Sequence, residues 1–313
     1  MKGLALSKRF YEEYGAPMLR EQFPALEGLI AVGLAGSGSE CFGYDDALSQ
    51  DHDFEPGFCL FLPDEDTVDR KAAFALERAY AKLPKEFMGY RRSPLSPVGG
   101  NRHGVLRMSD FFQSKTGDPK GELSMEDWFF ISEQSLAEAT NGALFRDDSG
   151  EMTAIRERLA YLPEDVRRKK LAGHLLLMGQ AGQYNYRRCV LRGETAAAQL
   201  AAIEFVNSAL HAVFLLNRRY LSYYKWRFHA LRTLPLLSSL HEPLEYLISS
   251  GNGTEEAAKK EGLIEQIGAA ILSELRAQAL SEGEASELEA HAYAVNAHIA
   301  DGELRTRHIL YGV

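Results

Sequence analysis

The stretch that most constrains the fold runs from Val32 to Leu62, where two apolar segments enclose a turn of small residues. The first segment, residues 29–35, leads into Gly36-Ser37-Gly38-Ser39, and the second runs from Asp51-His52-Asp53-Phe54 to Leu62. Short apolar runs bounded by glycine and polar residues are typical of buried strands. The sequence therefore predicts a strand, a turn, a short helix and a second strand that begins at Asp51.

Asp51 and Asp53 flank His52 at the start of the second predicted strand. Because successive side chains of a strand point to opposite faces, the two carboxylates are expected on the same side. Proteins commonly hold Mg²⁺ through one or two carboxylates together with substrate phosphates. The pair therefore predicts catalytic metal ligands for Mg²⁺, with room for two ions.

The small-residue turn supplies the other half of a phosphate site. Gly36 and Gly38 allow backbone N–H groups to approach phosphate oxygens, and Ser37 or Ser39 can add a hydroxyl group. We expect this turn to hold the triphosphate of ATP or another nucleoside triphosphate. The alternative is an ordinary strand-loop-strand unit whose acidic residues are solvated.

Thirteen residues separate Ser37 from Asp51. Glycine followed by serine, a spacer and then Asp-x-Asp in a strand resembles the signature of the nucleotidyltransferase superfamily, which includes DNA polymerase beta and kanamycin nucleotidyltransferase. The resemblance implies Mg²⁺-dependent transfer of a nucleoside monophosphate, AMP in the first instance, from a nucleoside triphosphate to an acceptor hydroxyl.

The superfamily usually carries a third carboxylate on a nearby strand, and this sequence departs from that pattern. The predicted strand Gly104–Met108 contains no acid, and its inward position is assigned to Arg107, which suits phosphate binding. Asp110 follows in Ser109-Asp110, a predicted N-cap. We take Asp110 as the catalytic candidate, with Glu126 and Asp127 as open alternatives for the general base.

The second half of the chain has helical periodicity and few helix breakers. Within it, residues 217–228 combine five aromatic and four cationic residues. Arg218 or Arg219 with Lys225 is predicted to bind triphosphate oxygens, and an aromatic residue such as Tyr224 to stack on the base. The alternative is a helix-helix junction with snorkelling basic side chains.

These segments together resemble the bacterial domain-of-unknown-function family 4037 over most of the chain. The resemblance rests on three groups of residues as they stand here: Gly36-Ser37 with Asp51-His52-Asp53; Asp127-Trp128, Ser132-Glu133-Gln134 and residues 142–147; and Asn217-Arg218-Arg219-Tyr220 with Tyr224-Lys225-Trp226. It implies an α+β fold, in which a small mixed β-sheet nucleotidyltransferase core with flanking helices precedes an α-helical bundle. Substrates of this family are generally not established.

Length and composition frame these expectations. The chain has 313 residues, more than a single core usually contains, so we expect two domains. These are a nucleotidyltransferase-like α/β domain over 1–150 and a helical domain over 151–313. The net charge of −9 disfavours a DNA partner and is compatible with a cationic small-molecule acceptor. No leader or membrane-length apolar run is evident, which predicts a cytoplasmic protein.

The three cysteines have no Cys-x-x-Cys spacing, so neither a disulfide framework nor a zinc site is expected. Cys41 lies in the predicted active-site loop, where we expect a buried, unreactive thiol. Two rival functions remain: a nucleotide-binding module with weak or no turnover, and an enzyme that nucleotidylates a protein or RNA partner.

Overall fold

The computed structural model describes residues 1–50, 54–92 and 102–313. It is 60% helical with a small mixed sheet, which confirms the predicted α+β class. Backbone contacts divide the chain into two compact units. The sheet unit comprises residues 1–124 and 134–160, and the helical unit comprises residues 125–133 and 161–313.

Six short strands are present in the described residues: β1 (Ala31–Leu34), β2 (Cys59–Leu62), β3 (Glu86–Phe87), β4 (Tyr90–Arg91), β5 (Gly104–Arg107) and β6 (Ala143–Arg146). Four of them form the main sheet in the order β5-β2-β1-β6, and β3 pairs with β4 as a hairpin. β1 is antiparallel to both of its neighbours, whereas β2 and β5 are parallel. Every residue of β1 and β2 is buried, as their continuous apolar sequences predict.

The helices are α1 (Gly3–Phe10), α2 (Ala16–Gln22), α3 (Arg70–Ala81), α4 (Met108–Thr116), α5 (Met125–Phe130), α6 (Glu133–Thr140), α7 (Glu151–Arg158), α8 (Glu164–Met178), α9 (Arg187–Leu191), α10 (Thr195–Leu216), α11 (Arg227–Leu231), α12 (His241–Ser249), α13 (Thr254–Ala277), α14 (Leu288–Ala297) and α15 (Gly302–Thr306). π-helical stretches Tyr11–Gly15 and Gly179–Tyr186 make α1 continuous with α2 and α8 with α9. The short 3₁₀ helix Ser39–Phe42 follows the turn after β1.

The core of the sheet unit is centred on the residue before β2. The rings of Phe10, Tyr11 and Tyr80 all lie within 5.8 Å of the Phe58 ring, measured between centroids. The Tyr80 hydroxyl accepts a hydrogen bond from Phe58 N at 3.1 Å and donates one to Phe58 O at 2.9 Å. This buried pairing leaves no backbone group of Phe58 unsatisfied, so α3 fixes the entry of β2.

Two buried lysines organise the helical unit around α8. Lys169 Nζ donates to Arg307 O at 2.7 Å, and Lys170 Nζ donates to Phe129 O and Gly312 O, both at 3.1 Å. Burial lowers the pKa of each ammonium group. Because buried charges need hydrogen-bond partners, these carbonyls hold residues 307–312 against α8.

Within the described residues, α10 has the length and apolar composition of a membrane-crossing helix, with a mean hydropathy of 1.5. In this fold 61% of the apolar window is buried inside the protein, where α10 packs on α8 and α12. Such burial is typical of the core helix of a soluble protein.

The second strand is shorter than predicted. β2 begins at Cys59, so the prediction of a strand from Asp51 is wrong for residues 54–58. Pro56 has no N–H group for a strand ladder, and Gly57 after it weakens a strand. Asp51 and Asp53 lie outside the described residues, and their placement on one face stays a prediction.

The start of α4 also differs from the prediction. α4 follows β5 directly, with Arg107 as its N-cap and with Ser109 and Asp110 inside its first turn, so the predicted cap at Ser109-Asp110 is wrong. A carboxylate in the first helical turn interacts favourably with the helix dipole. Asp110 therefore has a local reason for its position that does not depend on the predicted catalytic role.

Gly142 and Gly150 form a matched pair for testing close packing at the β1–β6 edge. Both have left-handed φ angles, of 69° and 72° respectively, but a Cβ atom on Gly142 would overlap Leu34 O, whereas one on Gly150 would meet nothing within 4 Å. Chemical denaturation should show Gly150→Ala costing about 1 kcal/mol from backbone strain. Gly142→Ala should cost about 3 kcal/mol, since overpacking adds to that strain. Equal losses would contradict the overlap.

Candidate functional site

The turn after β1 is held by one asparagine side chain. Gly36 N donates to Asn141 Oδ1 at 2.8 Å, and Asn141 Nδ2 donates to Gly36 O at 2.8 Å. Gly36 has a φ of 117°, a backbone conformation that residues other than glycine rarely adopt. The backbone of Asn141 is fixed in turn by Arg156, whose Nη2 donates to Asn141 O at 2.6 Å.

A pocket of about 310 Å³ opens beside this turn. Gly36–Gly38, Glu40, Arg102, Asp110 and Lys115 contribute to its wall. The structure thus brings four sequence-predicted residues, Gly36, Ser37, Gly38 and Asp110, to one pocket of the sheet unit. Ser39 does not line it and instead begins the short helix Ser39–Phe42.

Each basic residue of the pocket is paired with a carboxylate. Arg102 Nη2 lies 2.7 Å from Glu40 Oε1, and Lys115 Nζ lies 2.6 Å from Glu138 Oε2. A Cβ atom on Gly38 would overlap the Arg102–Glu40 pair, so glycine permits that pair to lie against the turn. The pocket therefore combines the exposed Ser37, two cations and the carboxylates of Glu40 and Asp110, a set of groups that suits an anion accompanied by a metal ion.

Cys41 also lines this pocket. Burial raises the pKa of its thiol to about 12, with the nearby Glu40 carboxylate acting in the same direction. Because the thiolate is the nucleophilic form, this cysteine is unreactive near neutral pH.

Arg107 lies at the end of β5, opposite Leu62 in the parallel ladder. Its Nη1 donates to Pro63 O at 2.6 Å. Arg107 lines a different pocket of about 820 Å³, whose wall includes Asp64 and Asp66, and Asp110 lines both pockets. A phosphate bound by Arg107, as predicted, would therefore lie in a pocket that also contains the carboxylates of Asp64 and Asp66.

The described residues contain no cluster of three or more His, Cys, Asp or Glu side chains placed to hold a metal ion. The predicted ligands Asp51 and Asp53 fall outside them. Asp110 is exposed at the pocket wall, and its carboxylate oxygens are donors of the kind that Mg²⁺ prefers. Glu126 belongs to the helical unit, where it pairs with Arg307 at 3.2 Å.

The aromatic and cationic segment predicted at residues 217–228 follows α10. Tyr223 and Tyr224 have ring centroids 4.2 Å apart, and Tyr224 is 67% exposed. Lys225 Nζ lies 5.2 Å from the Trp226 ring centroid, and Arg218 Nη2 lies 2.8 Å from Glu164 Oε2. An exposed tyrosine ring can stack on a planar ligand, so base stacking by Tyr224 stays a prediction.

A buried polar cluster in the helical unit was not predicted from the sequence. Glu133 Oε1 lies 3.2 Å from His211 Nδ1, while Glu133 Oε2 accepts the Leu221 N–H at 2.9 Å. His174 stacks on His211 with ring centroids 4.3 Å apart, and its Nδ1 is buried without a hydrogen-bond partner. The three residues lie on α6, α8 and α10, far apart in the sequence, so no local sequence pattern indicates the cluster and only tertiary packing brings them together.

Burial governs ionisation in this cluster. Burial alone would raise the pKa of Glu133, but the hydrogen bond and charge of His211 bring that pKa below its usual value of 4.5. For His174, burial lowers the pKa well below 6.5, and the neighbouring His211 and Lys170 act in the same direction. Glu133 is thus held ionised and His174 neutral.

Replacing Asn141 tests the turn clamp. Asn141→Ala leaves the buried N–H and C=O groups of Gly36 without partners, so we expect a loss of about 2 kcal/mol in the free energy of unfolding. Asn207→Ala, at an exposed amide of α10, should change stability by less than about 0.5 kcal/mol. Denaturant midpoints measure both, and a neutral Asn141→Ala would contradict the clamp.

The pH dependence of stability tests His174. Below its unfolded-state pKa of 6.5, the unfolded chain binds a proton that the folded chain does not, so stability falls as the pH drops below 6.5. The slope contributed by this group approaches about 1.4 kcal/mol per pH unit. Urea unfolding between about pH 7.5 and 5 should show this slope, and His174→Gln should remove it. The exposed-site variant His298→Gln should keep it, and a retained slope in His174→Gln would contradict the assignment.

Comparison with known proteins finds one family. Residues 128–227 match the family described as "Domain of unknown function (DUF4037)". No curated protein matches the chain. The matched residues, 100 of 313, include the Glu133–His211–His174 cluster and the segment from Arg218 to Trp226, so the chain is similar to this family over about a third of its length.

Proposed function

We propose that this protein is a Mg²⁺-dependent nucleotidyltransferase that moves AMP from ATP, or another nucleoside monophosphate from its triphosphate, to a hydroxyl group of a small cationic acceptor. One observation carries the proposal: the Gly36–Gly38 turn, held by Asn141, lines a pocket of about 310 Å³ together with Arg102, Lys115 and Asp110. A cytoplasmic location is part of the proposal and is compatible with the burial of α10.

The turn supports phosphate binding through shape and charge. Ser37 is the part of the turn that is open to a ligand, because Asn141 occupies the N–H and C=O groups of Gly36 and the Arg102–Glu40 pair fills the space beside Gly38. Arg102 and Lys115 add two cations, and their carboxylate partners keep them in defined positions. The pocket volume is within the usual range for small-molecule sites, which begins at ~300 Å³.

The proposed reaction is an in-line displacement. The acceptor oxygen forms a bond to the α-phosphorus, the bond from that phosphorus to the bridging oxygen of the β-phosphate breaks, and pyrophosphate leaves. Asp110 is the candidate to take the proton of the hydroxyl group. When bound, Mg²⁺ supplies charge neutralisation on the phosphates, and Asp51 and Asp53 are the residues proposed to hold it.

Thermal unfolding with ligand present tests the nucleotide site. A triphosphate with Mg²⁺ at a hundredfold excess over its Kd should stabilise the wild type by about 2.7 kcal/mol. The double variant Asp51→Ala/Asp53→Ala should lose this stabilisation, whereas the control Glu204→Ala, at an exposed position of the helical unit, should keep it. If the double variant is stabilised as strongly as the wild type, the metal-ligand assignment is wrong.

Arg107 favours a second candidate function, a nucleotide-binding module without turnover. β5 offers a guanidinium group where the resembled superfamily usually has a carboxylate. Pyrophosphate release separates the two functions: an enzyme should release pyrophosphate with an acceptor present and lose about a thousandfold in rate with Asp53→Ala. A binding module should be stabilised by nucleotide and release none.

A further inference from the structure

Another pocket lies in the helical unit at the start of α8. It has a volume of about 590 Å³, and its charged wall residues are Glu164, Arg167, Arg168 and Arg218. Three guanidinium groups thus face one carboxylate. Among the wall residues, positive charge is in excess.

Glu164 positions all three arginines. Arg167 contacts it twice, with Nε 3.0 Å from Oε2 and Nη2 2.6 Å from Oε1. Arg218 Nη2 lies 2.8 Å from Oε2, and Arg168 Nε lies 3.3 Å from Oε1. Burial would raise the pKa of Glu164, but the Arg167 hydrogen bond and the charges of Arg167 and Arg218 lower it, so the carboxylate is ionised.

The charge excess persists when the surroundings are included. Asp165 lies 3.6 Å from Arg168 Nη1, but it does not line the pocket, and its oxygens accept the N–H groups of Ala300 and Asp301. The Arg218 side chain is 55% exposed, and within the described chain one of its five N–H donors makes a hydrogen bond. Its remaining donors are available to a ligand.

The amide side chains of the pocket are already occupied. Asn217 Nδ2 donates to Val213 O and Leu236 O, and Gln278 Nε2 donates to Leu216 O and Glu274 Oε1. The donors left for a ligand are therefore those of guanidinium groups. A guanidinium group matches the oxygen spacing of phosphate and binds it through two parallel hydrogen bonds.

Unusual backbone conformations collect at the same place. The described residues contain four non-glycine positions with positive φ, and three of them adjoin this pocket. Arg218 has a φ of 52° and lines the wall, Leu237 follows the wall residue Leu236, and Ala279 lies between two wall residues. Such strain concentrates at ligand sites, where the surrounding structure enforces it.

We propose that this pocket binds the phosphoryl dianion of free phosphate or of a small phosphate monoester, with Arg218 as its principal ligand and Glu164 as a positioning residue. Arg168 contributes through Nη2, because its Nη1 donates to His298 O at 2.8 Å. The site is separate from the pocket beside Gly36, and it does not rest on the proposed transferase activity. Either can fail without the other, because phosphate binding is measured without Mg²⁺ or nucleotide.

Calorimetric titration of the full chain with inorganic phosphate, at constant ionic strength, tests the site. The wild type should bind one phosphate saturably. Arg218→Gly suits the left-handed backbone and removes the guanidinium group, so it should fold and weaken binding about tenfold. Arg218→Lys should weaken it less, and Arg192→Ala, which removes the same charge from an exposed position outside the pocket, should change the Kd by less than about twofold.

Titration with ribose 5-phosphate distinguishes the two ligand sources. Tighter binding than that of inorganic phosphate identifies a phosphate monoester, and weaker binding identifies free phosphate. No saturable binding by the wild type, or equal affinity in Arg218→Gly, would overturn the proposal and leave the arginines as an internal ion-pair network. If the phosphate binds in the sheet unit instead, Arg218→Gly will not change its affinity, and the titration of this variant will reveal that.

Discussion

The reciprocal pair of hydrogen bonds between Asn141 and Gly36 is the interaction on which the candidate site depends. It satisfies both backbone groups of a buried glycine whose φ of 117° leaves it outside any regular element. It also joins the turn after β1 to the residues before β6, where Gly142 N donates to Cys41 O at 2.8 Å. The turn, the short helix after it and the sheet edge are thus one hydrogen-bonded assembly, which leaves the face toward Arg102 and Asp110 for a ligand.

The helical unit is held together in a different way, by buried lysine side chains that have few or no carboxylate partners. Lys260, which is fully buried, donates to Gln199 Oε1, Ser250 O and Asn252 Oδ1 at 2.9 to 3.1 Å. Lys169 and Lys170 are likewise held mainly by carbonyl oxygens. An ammonium group removed from water tolerates little error in the position of its acceptors, so each lysine selects one arrangement of the segments around it. The arginines around Glu164 differ, because they share one carboxylate and keep donors exposed.

The sequence was sufficient for elements that are governed by local pattern. The buried strand β1, the partly buried strand β5, the extended piece at β6 and the long helices of the second half all follow from runs of apolar residues or from helical periodicity. The start of β2 was not predictable in this way. The mostly polar residues 51–55 lead into the apolar residues 58–62 and suggest one continuous strand, but Pro56-Gly57 interrupts it.

In the candidate site, Gly36–Gly38 and Asp110 could be named from the sequence, whereas Arg102, Lys115 and Asn141 could not. Their roles come from contacts with Glu40, Glu138 and Gly36, which are 23 or more positions away along the chain. The Glu133–His211–His174 cluster was missed for the same reason.

The attachment of residues 307–312 to α8 bears on how the chain is made. The ammonium groups of Lys169 and Lys170 find their acceptors at Arg307 and Gly312, 138 and 142 positions later in the sequence. A ribosome adds roughly 5 to 20 residues per second, so α8 emerges several seconds before those acceptors exist. During that interval α8 must keep both lysines in water or satisfy them elsewhere. Completion of the helical unit therefore waits for nearly the whole of this sequence to be synthesised, whereas the sheet unit, whose last residue is Ala160, can close much earlier.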